Sequence, residues 1–122
     1  MESPYKGKTG LRRVWNALFY SLDGLVAAYR HEDAFRQELL LAGILIPIAL
    51  YLPVAGTAKC MMVASVIAVL VVELLNSAIE AVTDRVSLED HALAKRAKDL
   101  GSAAVLLAIL NVVIVWTLAL AT

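Results

Sequence analysis

An uncharged run from Cys60 to Val72 leads straight into Glu73-Leu-Leu-Asn76-Ser-Ala-Ile-Glu80-Ala-Val-Thr-Asp84. The run reads as a membrane span, so the polar residues after it ride on the same helix. At about 100° per helical residue, Glu73, Asn76, Ser77, Glu80 and Asp84 share one stripe, while Leu74, Leu75, Ala78, Ile79 and Val82 form the other face. Placing a carboxylate in a transmembrane segment costs about 3 kcal/mol on insertion scales. Glu73 lies deepest in the apolar run. One acid near a helix end can rest in headgroup water and mean nothing. Two acids, two turns apart with an amide between them, point to a site where a helix leaves the bilayer.

Composition agrees with a membrane class. The chain has 122 residues, room for one domain spanning 1–122, and is 61% hydrophobic. Its mean hydropathy is +0.75, and soluble domains hold only about 45–50% apolar residues. The formal net charge is zero, which gives no bulk attraction to nucleic acid. Between Leu39 and Val82 only Lys59, Glu73 and Glu80 are charged. Cys60 is the sole cysteine, so an internal disulfide and a cysteine zinc site are excluded. The N-terminus is polar and the first long apolar run starts near Leu39, so no cleavable signal peptide is expected and the spans themselves direct insertion.

Residues 1–10 read as a loose polar arm. Gly7-Lys8-Thr9 is not a phosphate loop, because Glu2 stands where that motif needs its first glycine. Residues 11–30 predict an amphipathic surface helix with Leu11, Trp15, Leu18, Leu22, Leu25 and Tyr29 on its apolar stripe. Gly24 weakens its middle. Three spans follow, at about 35–54, 58–82 and 98–121 by hydropathy and length. Asp33 and Thr57 are candidate N-caps for the first two. Ser87 and Asp90 have capping-box spacing and predict a helix start at Leu88. Pro47 is placed to kink the first span, and Pro53-Val-Ala-Gly56 is a tight turn. Lysines and arginines concentrate in the N-terminal region and in the stretch from Thr83 to Asp99, which places both on the cytoplasmic side and the 53–57 turn and C-terminus outside.

One cytoplasmic interface thereby gathers Glu32, Arg36, Gln37, Glu38, Glu73, Asn76, Glu80, Asp84, Lys98 and Asp99. Oxygen ligands from two helices suit magnesium, which keeps waters and phosphate oxygens as further ligands. Lysine and arginine balance phosphate charge, and a deep carboxylate can take a proton from a lipid hydroxyl. Phosphoryl transfer to a membrane alcohol fits these parts. A proton or ion pathway uses the same residue types. It also needs polar groups across the whole bilayer, and the outer stretches 42–49, 61–72 and 106–115 carry only Ser65 and Asn111.

The Glu73–Arg85 stretch, Ala97-Lys98-Asp99-Leu-Gly101-Ser102-Ala-Ala-Val105 and Ala34-Phe35-Arg36-Gln37-Glu38 after Glu32 resemble the small integral-membrane bacterial diacylglycerol kinases, over nearly the whole chain. The resemblance implies an all-α homotrimer in the bacterial inner membrane, three spans and a surface helix per subunit, N-terminus cytoplasmic, with active sites shared between neighbours. It implies transfer of phosphate from ATP to diacylglycerol, with magnesium. By the same resemblance Glu73 is the general base, with Asn76 orienting it, and Glu32 and Glu80 hold magnesium. Arg13, Tyr20, Glu89, Asp90, His91, Lys98 and Asp99 join Glu32 and Glu80 at the nucleotide. The lipid is met by Arg13, Ser21, Ala34, Phe35, Arg36, Gln37, Glu38, Glu73 and Ser102. Asp23 departs from the family, where relatives can carry a basic residue. Undecaprenol is the alternative substrate within the same superfamily. Outside these positions, Trp116 reads as an interfacial anchor, Lys59 as a snorkelling side chain and Cys60 as an apolar packer.

Overall fold

In the computed structural model, which describes residues 10–86 and 91–122, every element is a helix. They are α1 (Gly10–His31), α2 (Asp33–Tyr51), α3 (Gly56–Val86) and α4 (His91–Ala121). α2, α3 and α4 contain the three stretches long and apolar enough to cross a bilayer, Asp33–Tyr51, Gly56–Arg85 and Ala92–Ala121. The all-α architecture of three spans and an amphipathic fourth helix is thus as the sequence predicts.

α1 runs unbroken through Gly24, and the other described residues leave most of its apolar stripe uncovered: Trp15, Leu18, Leu22 and Leu25 are exposed and only Ala28 is buried. Such a face suits the headgroup boundary. One residue separates α1 from α2. Glu32 has φ −120° and ψ 108°, an extended backbone, and its side chain makes no capping bond. The N-cap is therefore Glu32 and not Asp33, which lies in the first turn and pairs with Arg36 one turn on. Physically, Asp33 complements the positive helix start and the guanidinium together. Arg36 Nη1 also donates to the carbonyls of Tyr29 (2.6 Å) and Arg30 (3.1 Å), closing the open end of α1.

Pro47 lies inside α2. α2 stops at Tyr51 because Leu52 precedes Pro53 and is pushed to an extended ψ of 147°. Lys59 folds back on this end and donates from Nζ to the Leu50 carbonyl at 2.6 Å, beyond the snorkelling expected of it. The next helix begins at Gly56, one residue before the anticipated Thr57 cap. The expected capping residues Ser87 and Asp90, and the start at Leu88, lie outside the described residues.

The core is thin. Met62, Ala49, Phe35, Ala42, Val66 and Val69 are buried, and α3 is the hub, packed along α4 and, less extensively, along α2. Trp116 reaches across from α4 and donates its indole N–H to the Met62 carbonyl at 3.2 Å, so it ties two spans together. Cys60 is exposed on α3 rather than packed. The spans otherwise turn Leu, Ile and Val outward, as expected where lipid is the solvent.

Candidate active site

α3 sets the depth of every acid it carries. With about 1.5 Å of rise per residue, Glu73 stands about 26 Å and Glu80 about 36 Å from the start of the helix at Gly56, against a hydrocarbon core about 30 Å thick. If the hydrocarbon begins at Gly56, Glu73 falls near its far boundary and Glu80 beyond it.

Between α2, α3 and α4 there is a cavity of about 250 Å³. α3 lines it with Glu73, Asn76, Ser77 and Glu80, the α1–α2 junction with Glu32, α2 with Ala34, and α4 with Ser102 and Val105. The i, i+3, i+4 and i+7 spacing of the α3 residues turns all four to one side. Glu73 is 5% exposed and feels the negative charges of Glu38, Glu80 and Glu32. A larger cavity of about 840 Å³ adjoins it between α1 and α3, with Ser21, His31, Leu74 and Asp84 among its walls. Glu32, Ser77 and Glu80 line both. A carboxylate-lined recess thus opens beside an apolar cleft, the layout needed where a polar co-substrate meets a lipid.

Glu32 and Glu80 face a common space although they come from different elements. Among the described residues no three acidic, histidine or cysteine side chains form a metal cage. Two carboxylates with open positions fit magnesium, which rarely takes an all-protein site; they fit zinc or calcium less well.

The anticipated residues separate into groups. Glu32, Ala34, Glu73, Asn76, Glu80 and Ser102 come together in the smaller cavity, and Ser21 lines the larger. Ser21 also donates its hydroxyl to the Ala17 carbonyl, 2.9 Å away. Lys98 pairs with Asp84 at 2.5 Å and Asp99 with Lys95 at 2.6 Å; neither lines the two cavities. Arg13 and Tyr20 are exposed on α1 and line neither cavity. Phe35 is 2% exposed and serves the core. Arg36 lines a groove shared by α2 and Tyr29 of α1, Glu38 lines a separate apolar recess between α2, α3 and α4, and Gln37 is exposed. Glu89, Asp90 and the side chain of His91 lie outside the described residues. Ser77 and His31 are further cavity walls; Ser77 stands on the stripe predicted for α3, whereas the spacing gave His31 no such place. Gly101 meets Asn76 across the α3–α4 seam, a contact that spacing along one helix cannot foretell.

Residues 19–120 match the family model for prokaryotic diacylglycerol kinase. A diacylglycerol kinase of Pseudomonas aeruginosa is 54% identical over 114 residues, which cover 93% of this chain and 93% of the relative. The Escherichia coli diacylglycerol kinase is 48% identical over 112 residues, 92% of each chain. One from Helicobacter pylori is 42% identical over 115 residues, 94% of this chain and 89% of the relative. Likeness of this extent, over all three spans and the surface helix, establishes that the chain belongs to the prokaryotic diacylglycerol kinase family.

Proposed function

We propose that this protein transfers the terminal phosphate of ATP to the free hydroxyl of diacylglycerol, yielding phosphatidic acid and ADP at the cytoplasmic face of the bacterial inner membrane. The observation that carries the reading is Glu73: a buried carboxylate on a helix apolar enough to span a bilayer, in one cavity with Glu32 and Glu80. Glu73 takes the hydroxyl proton. The freed oxygen bonds to the terminal phosphorus as the bond to the bridging oxygen breaks, and ADP leaves with that oxygen. Asn76 orients the base. Glu32 and Glu80 are the side chains for magnesium, whose chemistry when bound is to offset phosphate charge.

Lys98 balances phosphate charge once nucleotide draws it from Asp84, and Asp99, Arg13, Tyr20, Glu89, Asp90 and His91 complete the nucleotide side. Ser21, Ala34, Phe35, Arg36, Gln37, Glu38 and Ser102, with Arg13, form the lipid side. Several of these stand away from the cavities of a single subunit, which supports a homotrimer whose sites are completed by neighbours. The N-terminus and the 83–99 stretch face the cytoplasm, in keeping with their lysines and arginines.

The test is ATP-dependent labelling of lipid by the purified chain in detergent micelles. Diacylglycerol should be labelled far faster than undecaprenol. Preference for undecaprenol would reassign the substrate, and labelling of neither would remove the kinase reading.

A further inference from the structure

Asn76 on α3 and Gly101 on α4 meet more closely than side chains ordinarily allow. A Cβ on Gly101 would overlap the Asn76 amide oxygen and stand 3.2 Å from its Cγ. The oxygen fills the space that any other residue gives to its first side-chain carbon. Gly24, Gly43 and Gly56 have nothing near the same position. Gly101 is also not held in the left-handed region, since Gly10 alone has positive φ among the described residues. What is needed at 101 is therefore space and not backbone freedom.

The Asn76 oxygen has no accessible surface and accepts no N–H or O–H bond among the described residues. It faces the bare Cα of Gly101, whose C–H is a weak donor. The reversed amide would press an N–H group against that C–H, so the oxygen belongs on this side. Asn76 also lines the cavity with Glu73 and Glu80. With its oxygen sealed against α4, the NH₂ end is the polar group it can offer there. Glu73 sits one turn below on the same face.

We propose that Gly101 is a positioning residue for phosphoryl transfer: its bare Cα accepts the Asn76 oxygen and so turns the Asn76 NH₂ into the cavity as a hydrogen-bond donor to the Glu73 carboxylate. The inference rests on the reading of Glu73 as the base. A wandering Asn76 leaves that carboxylate unheld, which slows turnover and leaves the binding of either substrate alone.

Wild type, Gly101→Ala, Asn76→Ala, the double variant and Glu73→Gln are compared as full-length proteins in micelles, with kcat and both KM values measured. Gly101→Ala should lose about 10-fold or more in kcat with each KM within about twofold, the pattern of a lost transition-state interaction. Asn76→Ala vacates the contested space, so the double variant should turn over no slower than Asn76→Ala alone, a non-additivity expected of contacting residues. Gly101→Ala within about twofold of wild-type kcat, Asn76→Ala at wild-type kcat, or multiplied losses in the double variant would each overturn the proposal. If Gly101→Ala fails to assemble, the double variant decides. Assembly with the turnover of Asn76→Ala supports the contact; failure to assemble, or slower turnover, overturns it. Full turnover by Glu73→Gln would remove the base reading itself, a separate outcome read apart from the coupling of Gly101 to Asn76.

Discussion

At the scale of single residues, three carboxylates line one cavity, and the proposed function gives Glu73 the proton and Glu32 and Glu80 the metal. Glu73→Gln keeps size and hydrogen-bonding capacity but cannot accept the proton. Its turnover should fall about 10²-fold or more with nucleotide affinity preserved, as for loss of a general base. Loss of nucleotide binding along with turnover would move Glu73 to the metal site. Glu80→Gln and Glu32→Gln should each raise the magnesium concentration needed for half-maximal rate, because each removes a charged oxygen ligand. A magnesium titration that overlays wild type for either variant would strip that residue of the role. These acids were legible in the sequence, since a charge in an apolar run announces itself. The partners of Asn76 and Lys98 were not. Gly101 lies on another helix from Asn76, and the Lys98–Asp84 pair joins the two helices as well. A single-helix periodicity carries no information about which faces of two helices meet.

At the scale of elements, the spans and the surface helix followed from hydropathy and the 3.6-residue period, and the ends did not follow so well. Asp33 looked like a cap because a short acid precedes an apolar run, yet its pairing with Arg36 draws it into the first turn. That arginine clamps the joint between α1 and α2 by holding the carbonyls of Tyr29 and Arg30. Lysine cannot present a planar fork to two carbonyls and a carboxylate together. Arg36→Lys should therefore free α1 from its fixed angle. Faster backbone hydrogen exchange over residues 24–32 than over α3 is the expected signature, and unchanged exchange there would show that the joint is held otherwise. On the opposite side of the bundle, Trp116→Phe keeps an aromatic ring but drops the bond to the Met62 carbonyl. A loss of about 1 kcal/mol is expected, read as faster thermal inactivation in micelles.

At the scale of the whole molecule, a lone subunit buries little: the apolar window of α4 has no buried residue at all. Lipid or further copies must cover that surface. If sites are completed by neighbours, mixing subunits of Glu73→Gln with subunits of Arg13→Ala should restore activity above the sum of the two alone. A mixture that merely averages them would mean self-contained sites. Sidedness is open to a direct check in a Cys60→Ala background. An impermeant thiol reagent outside spheroplasts should label Ala55→Cys and spare Arg96→Cys; the reverse labelling would invert the topology. Finally, α3 is one unbroken helix from the far turn to the last acid, and this makes it a ruler. The interval from Glu73 to Glu80 is about 10 Å along the axis, and no loop intervenes to adjust it. If Glu73 is the base and Glu80 a metal ligand, an alcohol must hold its hydroxyl at the one height marked by Glu73 while its phosphate donor is met at the other. Depth in the membrane, not the shape of a pocket, then does much of the selecting. One alanine inserted between Ile79 and Glu80 would leave the hydropathy unchanged but swing Glu80 by about 100° out of line with Glu73, and the gauge would lose its upper mark.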